Sequence, residues 1–127
     1  MTTLKENVMR FMSRFSDNDL EGALANFTDD GQYIDEFGNT HQGKAAIRAV
    51  LTPIFDGSYG TLTYVTEETI LDPENERALV TWTLKIKGDD QSTCKMRGLD
   101  ILDFEGTKVT SKNCYIKAKE VLIEPID

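Results

Sequence analysis

The sequence has little of what metal centres and disulfide frameworks require. Its 127 residues include one histidine, His41, and two cysteines, Cys94 and Cys114. Two thiols at this spacing form neither a zinc motif nor a disulfide framework, and no histidine, cysteine and carboxylate cluster stands at ligand spacing. There is also no glycine-rich phosphate loop and no dinucleotide fingerprint. We therefore expect a protein that requires no metal ion and no cofactor.

Basic charge and long apolar runs are also scarce. The chain carries 14 lysine and arginine residues against 22 aspartate and glutamate residues, a formal net charge of -8. Such a chain offers no footprint for a nucleic-acid backbone and is repelled by an anionic membrane surface. No apolar run approaches membrane-spanning length, and residues 1–15 lack the apolar core of a leader peptide. We expect a cytoplasmic protein with reduced thiols that binds neither nucleic acid nor membrane.

What the chain does contain is the periodicity of helices and strands. Its length and its 39% of apolar residues suit one globular domain, which we expect to span residues 1–127. Helical spacing predicts a first helix capped by Thr3, a second that extends to Phe27, and a third that starts near Lys44 and is kinked or ended by Pro53. The predicted strands are residues 32–37, 61–71, 78–86, 93–104 and 108–118.

This order of elements predicts an α+β fold in which helices pack on one face of a curved, mostly antiparallel sheet. A sheet that wraps over helices leaves a concave space. The strand over residues 78–86 alternates strictly between apolar and mixed positions. We therefore expect Val80, Trp82 and Leu84 to face the helices and to enclose an apolar pocket.

Two carboxylates stand at positions that are unfavourable for a charge. Asp35 lies between Tyr33 and Phe37 on one predicted strand face, and Asp100 interrupts an apolar face of another strand. A buried carboxyl near a second carboxyl has a raised pKa, so one can act as a base while the other donates a hydrogen bond. The residues alone leave a simpler alternative open: Asp100 could face outwards, and Asp35 could be one of several surface acids.

The polar segments around these positions predict turns and loops. Asp29, Asp30 and Gly31 are typical of a turn, and residues 38–43 are predicted to form a loop. His41 lies in that loop, where we expect it to be solvated or to cap the third helix. A Ser–His–Asp triad would have to use His41, but no serine of this sequence lies in a nucleophile-elbow motif.

The order and spacing of several short motifs resemble ketosteroid isomerase, the SnoaL-like polyketide cyclases and the wider nuclear-transport-factor-2-like superfamily. The resemblance covers nearly the whole chain. The first half carries it in Arg10-Phe11, Asp19-Leu20-Glu21-Gly22, Phe27-Thr28-Asp29-Asp30, Asp35 and Gly43-Lys44-Ala45-Ala46-Ile47-Arg48. The last hairpin carries it in Leu99-Asp100-Ile101-Leu102-Asp103-Phe104, Gly106 and Lys108-Val109.

This resemblance implies a cone-shaped, cystatin-like sheet closed by three helices, and a homodimer. It places Asp35 on the general base of the isomerase and Asp100 on the protonated donor of its oxyanion hole; the separated carboxyl pKa values of that enzyme are an established example. The oxyanion tyrosine of the family falls on Phe11, and a supporting tyrosine falls on Leu51. Phenylalanine has no hydrogen to donate, which counts against steroid isomerisation by the family mechanism.

The predicted function is binding of a small apolar or polycyclic molecule, with cofactor-free proton transfer next to a carbonyl as isomerase or aldol-type cyclase chemistry. In this prediction both Asp35 and Asp100 project into one pocket. The alternatives are a binding module without catalysis and a dimer-assembly module of the same fold. The predicted pocket residues are Phe11, Tyr33, Phe37, Leu51, Val80, Trp82, Leu84, Met96, Leu102 and Ile116.

Overall fold

The computed structural model describes residues 2–126 and confirms an α+β architecture. Within these residues, two helices come first, then two short strands, a third helix and four long strands, with one 3-10 turn between the first two of the long strands. The helices are α1 (Leu4–Ser16), α2 (Leu20–Ala25) and α3 (Lys44–Phe55). The strands are β1 (Phe27–Ile34), β2 (Thr40–Gln42), β3 (Thr61–Asp72), β4 (Arg77–Lys87), β5 (Thr93–Glu105) and β6 (Lys108–Lys117), with the 3-10 turn Pro73–Asn75 between β3 and β4.

The six strands form one curved sheet in the order β2-β1-β6-β5-β4-β3. β1 pairs with β6 in parallel, and every other neighbouring pair is antiparallel. β2 and β3 are the two edges of the sheet, so it wraps over the helices without closing into a barrel. Among the residues described, no helix is long and apolar enough to cross a bilayer.

The concave face of the sheet is apolar because the strands keep the alternation of the sequence. In β4 the side chains of Ala78, Val80, Trp82 and Leu84 are buried, while the residues between them are partly exposed. β5 contributes Leu102 and other residues to the same face. The helices cover this face, and α1 alone buries Val8, Phe11, Met12 and Phe15. The prediction that Val80, Trp82 and Leu84 face the helices is confirmed.

Local chemistry sets the ends of the helices. Thr3 caps α1, since its hydroxyl accepts the backbone N–H of Glu6 at 3.2 Å. Asp19 caps α2 in the same way by accepting the backbone N–H of Gly22 at 2.9 Å. Pro53 lies within α3, which ends two residues later at Phe55. The three predicted helices are therefore present near their predicted positions.

The segment between α2 and α3 differs from its prediction. Phe27 is the first residue of β1 instead of a helical residue, and Asp29, Asp30 and Gly31 lie inside that strand, where its register against β6 shifts. β1 ends at Ile34 instead of continuing to residue 37. The predicted loop 38–43 contains the short strand β2, because the chain reverses at residues 35–39 and pairs back onto β1.

Candidate functional site

A cavity of about 490 Å³ opens between the concave face of the sheet and α3. Its walls are mostly apolar and come from α3, β1 and β3 to β6. Phe37 and Tyr59 form the mouth and are 65% and 59% exposed. The full lining is Tyr33, Asp35, Glu36, Phe37, Val50, Ile54, Tyr59, Leu62, Tyr64, Trp82, Leu84, Ile86, Met96, Lys112, Cys114 and Ile116.

The floor of this cavity rests on a buried ion pair between neighbouring strands. The carboxylate of Asp100 on β5 is 1% exposed and accepts a hydrogen bond from Lys112 Nζ on β6 at 3.0 Å. Its other oxygen accepts the indole N–H of Trp82 on β4 at 3.0 Å. Both oxygens of a buried carboxylate are therefore satisfied, which is the condition for keeping a charge there.

Gly98 makes room for this arrangement. It faces Trp82 across the β4–β5 pair, and a Cβ at this position would lie 2.7 Å from the indole ring. It would also lie 2.5 Å from the backbone carbonyl oxygen of Tyr115, so a side chain there would collide both with β6 and with the indole that donates its N–H to Asp100. The glycine in the middle of β5 is thus explained by a close approach and not by an unusual backbone angle.

Lys112 is the cation of the floor. It is 6% exposed, and its ammonium lies 4.7 Å from the ring centroid of Tyr33 and 5.3 Å from that of Phe15. Burial by itself lowers the pKa of Lys112, but the charge of Asp100 outweighs this effect and holds the pKa above its ordinary value. The side chain therefore stays charged at neutral pH.

Two phenols complete the polar part of the cavity. Burial raises the pKa of Tyr33 against the opposing effect of Lys112, and it raises the pKa of Tyr64 as well. Both hydroxyls are therefore neutral, and within residues 2–126 neither has a hydrogen-bond partner. Burial also raises the pKa of Cys114 to about 12, so this thiol is not a nucleophile at neutral pH.

Asp35 lies at the mouth of the cavity, in a turn and not on a strand. One carboxylate oxygen accepts the backbone N–H groups of Phe37 and Asn39 at 3.0 and 2.9 Å, which ends β1 and reverses the chain. The other oxygen lies 2.9 Å from Nε2 of His41 on β2. Burial raises the pKa of Asp35, but these hydrogen bonds outweigh burial and place it below its usual value.

The prediction for His41 is correct only in part: its side chain is partly exposed, but it does not cap α3. The residue before α3 that caps it is Gly43, which makes no side-chain hydrogen bond. His41 instead pairs with Tyr33 across the β1–β2 strands and bonds to Asp35. The pairing of β2 with β1 brings the three residues together.

The predicted site residues fall into two groups. Asp35 lines the cavity, whereas Asp100 lies beneath it, in contact with the lining residues Lys112 and Trp82. Six predicted pocket residues line the cavity: Tyr33, Phe37, Trp82, Leu84, Met96 and Ile116. The other four are fully buried in the core behind its walls: Phe11, Leu51, Val80 and Leu102.

Lys112 and Tyr64 were not predicted as site residues, and the bond between His41 and Asp35 was not predicted either. Tyr64 could have been found, because it alternates with Leu62 on one face of a predicted strand. His41 carried no periodic signal. Within the described residues no three histidine, cysteine, aspartate or glutamate side chains are grouped so as to hold a metal ion.

Comparison of this chain with known domain families identifies its family. The SnoaL-like domain matches residues 8–112, which is most of the chain. The protein therefore belongs to the SnoaL-like domain family, and the resemblance found in the sequence is confirmed. No curated protein matches the chain.

Several solved structures share the fold. TerC, which was co-crystallised with polyporic acid, is 20% identical with a TM-score of 0.77, covering 91% of this chain and 92% of TerC. The epoxide hydrolase/cyclase-like enzyme SalBIII of pyran ring formation in the polyether salinomycin is 15% identical with a TM-score of 0.79, covering 90% of each chain. An uncharacterised cystatin fold protein from Novosphingobium aromaticivorans is 15% identical with a TM-score of 0.76, covering 90% of this chain and 98% of that one. At these identities the likeness shows a common fold.

Proposed function

We propose that this protein binds a small, flat and largely apolar molecule in the cavity and moves a proton next to a carbonyl group of that molecule without a cofactor. One observation carries the proposal: the same apolar cavity, of about 490 Å³, is lined by both a carboxylate, Asp35, and a buried ammonium, Lys112. TerC, co-crystallised with polyporic acid, and SalBIII, an enzyme of pyran ring formation, have the same fold, and this supports a small-molecule ligand.

In the proposed chemistry a residue at the mouth removes the proton, and the ion pair at the floor assists. Asp35 takes a proton from the carbon next to the carbonyl, and the electron pair of the broken C–H bond moves to the carbonyl oxygen as an enolate. His41 holds the carboxylate in place through its bond to Oδ2. If a C=C bond is conjugated with the enolate, Asp35 returns the proton to the far carbon of that bond and the double bond shifts, which is isomerisation. If the ligand has a second carbonyl, the enolate carbon attacks it, the π bond of that carbonyl breaks, and its oxygen takes the proton from Asp35, which is aldol-type ring closure. Asp100 takes part through Lys112, with which it shares a hydrogen bond.

Hydrogen–deuterium exchange at carbon tests this proposal. A panel of bicyclic aryl ketones would be incubated with the protein in deuterium oxide, and deuterium uptake next to the carbonyl would be followed by mass spectrometry. We expect the Asp35→Asn variant to lose about a hundredfold or more of the exchange rate, the usual contribution of a general base. Glu36→Gln is the matched control, since Glu36 also lines the mouth. Equal exchange by wild type and Asp35→Asn would contradict the role of Asp35.

A binding module without catalysis is the second candidate, and the surroundings of Asp35 favour it. Its carboxylate already has three hydrogen-bond partners, which lower its pKa and weaken it as a base. Phe11, where the family resemblance expects a tyrosine, has no hydroxyl. Ketone binding without any deuterium uptake would establish this second candidate.

We also propose that the protein forms a homodimer through the convex face of the sheet. Neighbouring strands place a row of apolar side chains there: Ile70, Leu79, Leu99, Ile101 and Tyr115. Ile70 and Tyr115 are largely exposed in the single chain. A contiguous apolar patch of this kind is typical of an interface. Sedimentation of Ile101→Lys should give a monomer where the wild type gives a dimer; a monomeric wild type would contradict the proposal.

A further inference from the structure

We propose that Lys112 is the residue that stabilises negative charge on the bound molecule, and that the site takes ligands that enter neutral and carry an enolate or phenolate oxygen once bound. This inference rests on the proposed function and names its substrate class. It also assigns a role to a residue that neither the sequence pattern nor the family resemblance singled out.

The need for such a residue follows from Phe11. The ring of Phe11 packs edge-on against Phe15 at 5.2 Å, and the ammonium of Lys112 lies 5.3 Å from the same Phe15 ring. The cation is thus separated by one aromatic ring from the position where the family resemblance expects a hydroxyl donor. A buried cation can take over the stabilisation of an oxyanion from a missing neutral donor.

Lys112 also has hydrogen-bonding capacity to spare. An ammonium carries three N–H donors, and within residues 2–126 the only acceptor bonded to Lys112 is Oδ1 of Asp100. Its ammonium also lies 4.7 Å from the centroid of the Tyr33 ring. Lys112 nevertheless belongs to the cavity lining. A ligand oxygen on the floor would therefore meet an unused charged donor, with the hydroxyls of Tyr33 and Tyr64 on the same lining.

The charges around the cavity define which ligands can use this donor. Asp100 balances the charge of Lys112, so the floor has no net charge. The mouth carries the carboxylates of Asp35 and Glu36, which repel a molecule that is already anionic. A ketone or phenol passes the mouth as a neutral molecule. If it loses a proton inside, Lys112 stabilises the resulting oxyanion directly, and Asp100 keeps Lys112 charged.

Covalent chemistry at Lys112 is not part of this role. A Schiff base requires a free amine with its lone pair, whereas Asp100 at 3.0 Å favours the protonated form of Lys112. The interaction proposed here is a charge-assisted hydrogen bond, which is stronger than one between neutral groups.

A pair of probe molecules that differ in charge tests the inference. Para-nitrophenol changes colour when it ionises, and nitrobenzene is a neutral molecule of nearly the same shape. Binding of both to the full chain would be measured by titration, at a pH just below the ordinary pKa of the phenol. We expect wild type to bind the phenol in its coloured, ionised form and about tenfold more tightly than nitrobenzene. Lys112→Met should lose this preference while its affinity for nitrobenzene changes less than about threefold.

Two further variants keep the result interpretable. Because Lys112→Met leaves Asp100 without its cation, the double variant Asp100→Asn with Lys112→Met would be measured alongside it, so that no charge is buried alone. Lys85→Met removes the same charge from an exposed position on β4, and it should bind both probes as wild type does. Loss of the phenolate preference in the double variant, and not in Lys85→Met, supports the inference.

The contrary outcomes separate the inference from the proposed function. If wild type binds nitrobenzene but the phenol binds no more tightly and stays colourless, Lys112 has no role in charge stabilisation, and only this inference is overturned. The same conclusion follows if the double variant keeps the phenolate preference. If wild type binds neither these probes nor the ketone panel, the cavity is not a ligand site, and the proposed function is overturned as well.

Discussion

The floor and the mouth of the cavity each hold a carboxylate, and they hold it by different means. Asp100 on the floor is 1% exposed and is bound by side chains from two neighbouring strands, Trp82 and Lys112. Asp35 at the mouth is bound mainly by the backbone of its own turn and by His41, six residues away. The floor is thus fixed by long-range contacts, and the mouth by local ones.

This difference separates what the fold needs from what a ligand would need. The floor residues are part of the sheet core, where every charge must keep its partner. The mouth residues Phe37 and Tyr59 are mostly exposed and support little of the core. Substitutions at the floor should therefore change stability first, and substitutions at the mouth should change ligand binding first.

The largest effect should come from removing the cation of the floor. Lys112→Met leaves the carboxylate of Asp100 buried without an opposite charge, which typically costs about 3–5 kcal/mol in the free energy of unfolding. Urea unfolding followed by circular dichroism would measure this. Lys85→Met is the matched control, and it should change stability by less than about 0.5 kcal/mol because Lys85 is exposed. Equal stability of the two variants would show that the floor does not depend on the ion pair.

A smaller loss is expected from the second partner of Asp100. Trp82→Phe keeps an aromatic ring on β4 but removes the N–H that binds Asp100 at 3.0 Å. Leaving one oxygen of a buried carboxylate without a donor costs about 1–3 kcal/mol in the free energy of unfolding. The control is Tyr64→Phe, which removes a hydroxyl that has no partner among residues 2–126. If both variants unfold at the same urea concentration, the indole hydrogen bond contributes nothing to the floor.

The strands with alternating apolar residues could be predicted from the sequence, because this alternation alone determines which face of a strand is buried. In β4 the burial of every second residue determines which face of the strand packs on the helices, and the sequence shows the same alternation. The cap of α1 was equally local, since Thr3 and Glu6 lie within one helical turn. In both places the pattern of residues was compatible with one structure only, and the prediction is confirmed.

The position of Lys112 could not be predicted, because it depends on one irregularity. β6 pairs with β5 in a regular register from Glu105 opposite Lys108 to Phe104 opposite Val109, and then shifts by one residue. After this bulge Asp100 faces Cys114, and Lys112 joins the concave face; in an uninterrupted register Asn113 would face Asp100 and Lys112 would point outwards. No residue pattern in the sequence predicts that β6 contains this extra residue at the bulge.

The turn at the mouth of the cavity was not predicted either, because the residues that form it also fit a strand. The alternation of Tyr33, Asp35 and Phe37 is typical of a strand, but the carboxylate of Asp35 accepts the two backbone N–H groups that a longer strand would have used. The strand therefore ends, and the chain turns into β2. A longer strand and the turn would both use these N–H groups, so the alternation of residues alone does not say which of the two forms. The turn brings His41 to Asp35.

The pH dependence of stability offers a test of the mouth alone. The pKa of Asp35 is lower in the folded protein than in the unfolded chain, where it is about 3.9. The ionised form therefore stabilises the fold above that value, and the contribution is lost as the pH falls through the folded pKa. We expect Asp35→Asn to be about 1 kcal/mol less stable than wild type at about pH 6, a modest loss because the turn is near solvent. The gap should narrow as the pH is lowered from about 6 to about 3, through the range in which the carboxyl of the unfolded chain takes up its proton.

Urea unfolding of both proteins at the two pH values would measure this gap. Glu36→Gln serves as the control, since Glu36 is exposed beside Asp35 and its side chain makes none of these hydrogen bonds. A gap between wild type and Asp35→Asn that stays constant with pH would mean that the ionised carboxylate is not what stabilises the turn.

The smallest effect on stability, with a clear effect on binding, is expected at Phe37. Its ring is 65% exposed, so Phe37→Ser should change the free energy of unfolding by no more than about 0.5 kcal/mol. A ligand that fills the cavity would cover part of this ring, and losing that apolar contact should weaken nitrobenzene binding about threefold to tenfold. Met9→Ser removes a similarly exposed apolar side chain from α1, outside the cavity lining, and should leave binding unchanged. If Phe37→Ser binds as wild type does, the mouth takes no part in recognition, and selectivity must lie with the floor.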